Sequence, residues 1–274
     1  VAVVSPGFAP DHSWIEIAKK AEVKVFGEAD FASAFWPGKI VAVTGTNGKT
    51  TLVRFLAKLF NQTNRSAVAT GNVGYSFSDL VAERRDSSIT AMLELSSFQT
   101  ENLRLLRPDA VIWTNVDEDH LDRHGDMPSY IRAKSQLVDR LESGPFLAGA
   151  SVTESACEFG VTLSCQPKTI LREDANRVPV PVSSPFSTFP QRENLALALA
   201  FADSQGISDE SVIKVLDEFE GEPHRLEKVA TVGKATFWND SKATNFSAAL
   251  AACRHFTGKA FWIGGGQSKG ADEK

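Results

Sequence analysis

The sequence predicts an α/β protein: a mostly parallel sheet covered by helices, carrying a P-loop. Three observations predict it. Short apolar runs alternate with helical stretches through the first half of the chain, the pattern of a sheet buried on both faces. A glycine-rich turn, GTNGKT (45–50), stands between one such run and a helical stretch. Polar residues also gather where neighbouring apolar runs end, and open α/β sheets bind ligands beyond the carboxyl ends of their strands.

In chain order, VAVV (1–4) is a short apolar strand, followed by a helical stretch at 13–21 and a second strand, VKVF (23–26). A longer series opens with IVAVT (40–44). Helix 50–61 follows, with Leu52, Phe55, Leu56 and Leu59 spaced to form one inner face. Next come SAVAT (66–70), a polar segment with helical potential, SITAMLEL (88–95), helix 98–106, AVIWTN (110–115) and helix 128–142. Between 143 and 190 prolines and short β-branched runs read as loops and small strands. Helical periodicity returns at 191–204 and 209–219. Two strands, KVATV (228–232) and ATFWN (235–239), precede helix 244–256 and a last strand, KAFWIG (259–264). The chain stops after GGGQSKGADEK, inside what reads as another α/β unit. There is no internal repeat.

At 274 residues the chain fits two domains or one large one. Its 42% hydrophobic and 23% charged content suits a globular protein with a core. A net charge of −5 gives no reason to expect a nucleic-acid surface or an anionic membrane. No apolar run reaches membrane length and no signal peptide opens the chain. The three cysteines, Cys157, Cys165 and Cys253, lack C-x-x-C spacing and read as reduced thiols, which fits a cytoplasmic protein.

The glycine turn departs from the usual phosphate loop, G-x-x-x-x-G-K-[ST]. Counted back from Gly48-Lys49-Thr50, the first glycine should stand at Val43; it comes two residues later, at Gly45. The context still suits phosphate. Glycines let backbone N–H groups turn inward, and the following helix adds partial positive charge. Lys49 would neutralise β- and γ-phosphates and the Thr50 hydroxyl would ligate Mg²⁺. The bland alternative is a plain turn with a solvated lysine.

Glu94 ends a hydrophobic strand, the position from which nucleotide hydrolases hold Mg²⁺ directly or through water; a solvated strand terminus is the alternative. In NVDEDHLDRHGD (115–126), His120 and His124 are four apart, but Leu121 stands where H-E-x-x-H has its glutamate, so a zinc hydrolase would lack its base. A solvated acidic turn accounts for Asp117 and Asp126. His120, which closes a strand and precedes a helix, is the better ligand candidate.

GTNGKTT (45–51), LELSSFQTENL (93–103), TNVDEDHLDRHG (114–125), HRLE (224–227) and NDSKATN (239–245) occur in that order. Together they closely resemble the Mur ligases of peptidoglycan synthesis, which use the short loop G-x-x-G-K-[ST]. ELSSFQ and NDSKATN resemble the branch that joins D-glutamate to UDP-N-acetylmuramoyl-L-alanine. The resemblance implies the end of an N-terminal UDP-binding domain at 1–35, a central ATPase domain at 36–221, and the start of a C-terminal Rossmann-like domain at 222–274. Both outer domains would be partial. It implies an amide ligase that uses ATP and two Mg²⁺ ions through an acyl phosphate, as a cytoplasmic monomer.

Carried over by residue, the loop Gly45, Thr46, Asn47, Gly48, Lys49, Thr50 and Thr51 would hold ATP. Thr50 and Glu94 would hold one Mg²⁺ and His120 would help hold a second. Lys134, in YIRAKSQL, matches a lysine that becomes a carbamate; by itself it reads as a surface lysine. Asn72, Ser96 and Gln99 match substrate-binding positions. Arg225, Asp240 and Lys242 match nucleotide contacts, and Thr244 and Lys269 lie near the amino-acid position. One segment departs: where the family has G-x-H-N-x-x-N, TFPQRENLALA (188–198) keeps Asn194 and puts Gln191 at the other asparagine. Glutamine offers the same amide hydrogen bonds. Two other readings remain: a sibling ligase using another amino acid or extending folate with glutamate, and a P-loop nucleotide switch.

Overall fold

The computed structural model describes residues 1–182, 184–187, 191–256 and 258–266. The chain begins with β1 (Ala2–Val4), α1 (Ser13–Lys20), β2 (Val25–Gly27) and α2 (Glu28–Ser33), with β1 and β2 pairing in parallel. The central series follows: β3 (Ile40–Thr44), α3 (Lys49–Gln62), β4 (Ala67–Gly71), α4 (Phe77–Glu83), β5 (Thr90–Glu94), α5 (Ser97–Thr100), β6 (Ala110–Trp113), α6 (Leu121–His124) and α7 (Met127–Ser135). It continues through β7 (Phe146–Gly149), α8 (Ala150–Glu158), β8 (Lys168–Ile170), α9 (Gln191–Ser204) and α10 (Asp209–Glu218). Last come β9 (Glu227–Val232), β10 (Ala235–Asn239) and α11 (Phe246–His255). The hairpin β9–β10 is antiparallel and shifts register between Phe237 and Trp238.

Six strands form one parallel sheet in the order β4-β5-β3-β6-β7-β8. β3, β5 and β6 are buried along their whole length, because parallel strands with helices on both faces meet no water. From β3 the chain runs first to β4 and β5 on one side and then crosses to β6 on the other. That reversal opens a crevice beyond the carboxyl end of β3. Val43 pairs with Glu94 and Thr44 with Trp113, so the residues after these three strands emerge side by side.

Each sheet face has its own core. On one, Leu52, Phe55, Leu56 and Leu59 of α3 are fully buried, the face that their 3.6-residue period dictates. Phe55 meets Phe186 and Phe219 edge-on at 4.8 and 5.3 Å, and Phe60 stacks on Phe201 at 5.9 Å. Burying such a side chain contributes about 1.5–3 kcal/mol. α9 is buried from Asn194 through Ala202 and completes this layer. The other face packs Trp36, Phe77, Leu93, Trp113, Tyr130 and Ile131 together.

The α/β class and the parallel sheet are as the sequence predicts, but several elements differ. Helix 98–106 stops after Thr100. The buried carboxylate of Asp30 accepts the amides of Arg104, Leu105 and Leu106 at 2.9–3.0 Å, and Pro108 bars further helix. Helix 128–142 ends at Ser135, and its remainder becomes a short 3-10 turn at Val138–Arg140. Within 143–190, read as loops and small strands, lie two strands of the main sheet and α8; their brevity conceals the periodicity. Residues 259–264, read as a strand from their apolar run, form none among the described residues. All three cysteines are free and exposed. No helix among the described residues is long and apolar enough to cross a membrane.

Candidate active site

The loop after β3 is shaped by packing as much as by glycine freedom. Gly45 has φ +140° and Gly48 φ +83°. A Cβ at Gly45 would strike the Thr114 hydroxyl, and one at Gly48 the Asn194 amide. The loop is pinned to the end of β6: Thr46 N–H donates to the Asn115 carbonyl (3.1 Å), Asn47 N–H to Asn115 Oδ1 (2.8 Å), and Thr114 Oγ1 to the Asn47 carbonyl (2.8 Å). α3 starts from Gly48 with no side-chain cap. The first-turn amides of any helix lack an intrahelical acceptor, and here no capping side chain supplies one, which makes the spot attractive to an anion. Lys49 curls back here, donating to the carbonyls of Gly45 (3.0 Å) and Thr46 (2.8 Å).

Two charged groups are buried beside the loop. Glu94 is 2% exposed at the end of β5. Its Oε1 accepts from Asn72 Nδ2 at 3.3 Å, while Oε2 is buried with no hydrogen-bond partner. Lys134 of α7 is 1% exposed, contrary to the surface lysine its local sequence suggests. Its Nζ donates to the Gly45 carbonyl at 2.8 Å and lies 4.7 Å from the Tyr130 ring centre. Burial, with the Lys49 charge adding to it, holds Lys134 well below the ordinary lysine pKa. Tyr130 hydrogen-bonds through its hydroxyl to Thr46 Oγ1 (3.0 Å), and burial pushes its pKa up. Among the described residues no three His, Cys, Asp or Glu side chains cluster to hold a metal by themselves.

His120 begins α6 in the left-handed region, φ 55°. It packs on Phe98 at 4.7 Å, and its Nε2 is 3.6 Å from Asp119 Oδ2. Asn245, which caps α11, reaches across with its Nδ2 to Asn47 Oδ1 (3.2 Å) and Asp119 Oδ2 (3.1 Å). Loop, strand ends and this crossing arm enclose a cavity of about 180 Å³.

Residues 43–155 match the Mur ligase middle domain. The chain is 30% identical, over 98% of its length, to the UDP-N-acetylmuramoylalanine–D-glutamate ligase of Leuconostoc mesenteroides, and 33% identical over 99% to that of Salinibacter ruber. The chain is similar to the Mur ligases. It spans 63% and 65% of the length of those two curated relatives. Among solved structures, MurF ligase from Thermotoga maritima in complex with ADP superposes with a TM-score of 0.63 at 16% identity, over 94% of this chain and 72% of that one. MurF from Acinetobacter baumannii gives 0.63 at 18% identity, over 82% and 56%. At such identities the likeness is one of fold.

Of the residues singled out in this Mur-ligase-like sequence, Gly45 through Thr50, Asn72, Glu94, Ser96, His120, Lys134, Arg225, Lys242 and Thr244 line the cavity. Others stand back. Thr51 is buried behind the loop. Gln99 is engaged with Ser96 in a helix capping box, its Oε1 accepting from Ser96 N (2.9 Å) and Oγ (3.0 Å). Asn194 lies under Gly48 and donates to Gln191 Oε1 at 2.8 Å. Asp240 accepts from Leu226 N–H at 3.0 Å, and burial raises its pKa. Lys269 and residues 188–190 lie outside the described residues. Asp126, read as solvated, caps α7 through Ser129 N–H at 2.8 Å. Asp119, Tyr130, Ser97 and Asn245 also line the cavity and were not singled out. Each lies inside a motif already noted, and only its direction in space distinguishes it.

Proposed function

We propose that this chain is the catalytic middle of an ATP-dependent amide ligase that joins D-glutamate to UDP-N-acetylmuramoyl-L-alanine. One observation carries the reading: a phosphate-type loop, a buried carboxylate with an unpartnered oxygen and a buried lysine line one cavity. The names of its relatives supply the substrates. We assign 1–35 to a UDP-binding domain, 36–221 to the ATPase domain and 222–274 to a Rossmann-like domain.

A carboxylate is a poor acyl donor because its leaving group would be oxide. An oxygen of the muramoyl-alanine carboxylate attacks the γ-phosphorus of ATP, the β–γ bridging P–O bond breaks, and ADP leaves. The amine of D-glutamate, having lost a proton, then attacks the acyl carbon; the nitrogen loses a second proton, the C–O bond to phosphate breaks, and an amide and inorganic phosphate remain. Anionic oxygens meet in the first step, so positive charge must be organised beforehand. Lys49 and the first-turn amides of α3 face the phosphates in this reading. Arg225 and Lys242 approach the nucleotide from the other wall; Asp240, matched to a nucleotide contact, sits behind that wall on the Leu226 amide.

The residues fit a Mg²⁺ ion. Glu94 Oε2 is a buried acceptor awaiting a partner, and Thr50 on the first turn of α3 offers a hydroxyl. His120 would serve a second ion. When bound, Mg²⁺ supplies charge against phosphate oxygens. Lys134 suits carbamate formation because that needs a neutral amine, and burial favours one. Carbon dioxide adds to the neutral nitrogen, one proton leaves, and the side chain becomes an anion beside the metal position. Asn72 and Ser96 hold the muramoyl substrate, with Gln99 fixing Ser96. Thr244 and Lys269 serve D-glutamate.

The test supplies the natural full-length protein with ATP, Mg²⁺ and UDP-N-acetylmuramoyl-L-alanine, and a panel of D-glutamate, L-lysine, diaminopimelate and L-glutamate. Amide product with D-glutamate alone is expected. Product with another amine moves the protein to a sibling ligase. ATP hydrolysis without amide in any tube overturns the ligase reading.

A further inference from the structure

Glu222 stands where the chain passes from α10 to β9, and its carboxylate gathers three cations. Oε1 accepts from Arg54 Nη1 of α3 at 3.3 Å. Oε2 is shared by Arg225 Nε at 3.2 Å and Lys242 Nζ at 3.5 Å. The Glu222 side chain is 8% exposed, against 28% for Arg225 and 37% for Lys242. The last two line the cavity beside Lys49. Asp240 also faces Arg225, but it is engaged by the Leu226 amide.

We propose that Glu222 is a built-in competitor for the phosphates of a nucleoside triphosphate: it holds Arg225 and Lys242 at the cavity wall and yields them when the ligand arrives. The division of labour between its oxygens makes the exchange feasible. Arg54 occupies Oε1 alone, so the carboxylate stays paired after the other two cations leave. A half-buried carboxylate stripped of every partner would resist that exchange. The backbone around Arg225 is also held in a form its residues do not favour. His224 and Leu226 on either side have φ of 66° and 44°, left-handed values that crowd a Cβ. A segment kept in such a shape by its contacts is suited to changing shape when a contact is exchanged.

This inference rests on the nucleotide reading above, and Glu222 is a positioning residue within it. A structural strut would predict the opposite sign: its loss would disorder Arg225 and weaken the ligand. Replacing charge while keeping shape separates the two.

The experiment is calorimetric titration of the natural full-length protein and its Glu222→Gln variant with ATP and Mg²⁺, with adenosine as an uncharged control. The variant is expected to bind ATP roughly three- to tenfold more tightly, the size of one competing ion pair near a surface, with adenosine unchanged. Equal or weaker ATP binding overturns the proposal and leaves the nucleotide reading standing. Absence of ATP binding in both proteins overturns the two together. Should Glu222→Gln fail to fold, Arg54→Gln carries the test. It leaves the whole carboxylate to Arg225 and Lys242, so ATP binding should weaken severalfold; unchanged affinity overturns the proposal.

Discussion

Lys49 and Lys134 share one carbonyl, both donating to Gly45 O, and their environments give them different chemistry. In the proposed reading, Lys49 exchanges the loop carbonyls for a phosphate. In the full-length protein, Lys49→Ala should lower acyl-phosphate formation by about 10³-fold, the scale of a lost preorganised charge, while circular dichroism and thermal midpoint stay as in the parent. Retained activity would sink the loop assignment. Lys134 has burial against its charged form and Glu94 and Asp119 favouring it. Equilibration with ¹³C-labelled carbon dioxide should give a carbamate carbon resonance that Lys134→Arg abolishes, since a guanidinium does not become neutral. A spectrum without that resonance in the parent protein would remove the carbamate from the mechanism.

At the scale of elements, the sequence read best where periodicity and burial agree. The bounds of β3 and the inner face of α3 were legible because every residue of that strand is buried and the helix has a single buried stripe. The segment after α5 was not. LRLLRP has helical spacing, yet its amides turn to a carboxylate more than seventy positions earlier, a contact no local window contains. Asp30→Ala would leave those buried amides without an acceptor. It should destabilise the chain by about 2–4 kcal/mol, as lost charge-assisted hydrogen bonds do. Urea unfolding checks this, and a loss under 0.5 kcal/mol would show the segment finds other partners. The site divided in the same way. Lys49, Glu94 and His120 were legible because they end strands or open helices. Lys134 needed the family resemblance, and Asp119 and Asn245 needed the fold.

Across the whole molecule, the cavity is closed by residues far apart in sequence. Asn245 ties α11 to Asn47 and Asp119, and Glu222 ties the same region to α3 through Arg54. Asn245→Ala removes both the cap and the tie. Amide exchange in β9, β10 and α11 should rise about fivefold, the worth of one hydrogen bond of ~1 kcal/mol, with β3, β5 and β6 unchanged. Exchange that rose equally in the central sheet would mean that the tie belongs to the global fold.

The sequence alone determined the α/β class, the order of strands and helices from β3 to β6, and the short glycine loop with its lysine and hydroxyl. These follow from local rules: the period of apolar residues and the backbone freedom of glycine. Only the tertiary structure decided that β3 lies between β5 and β6, that Lys134 is buried against Gly45, and that one carboxylate of Glu222 answers to three cations. Strand order and side-chain burial depend on contacts across tens to hundreds of residues, and those exist only once the chain has packed.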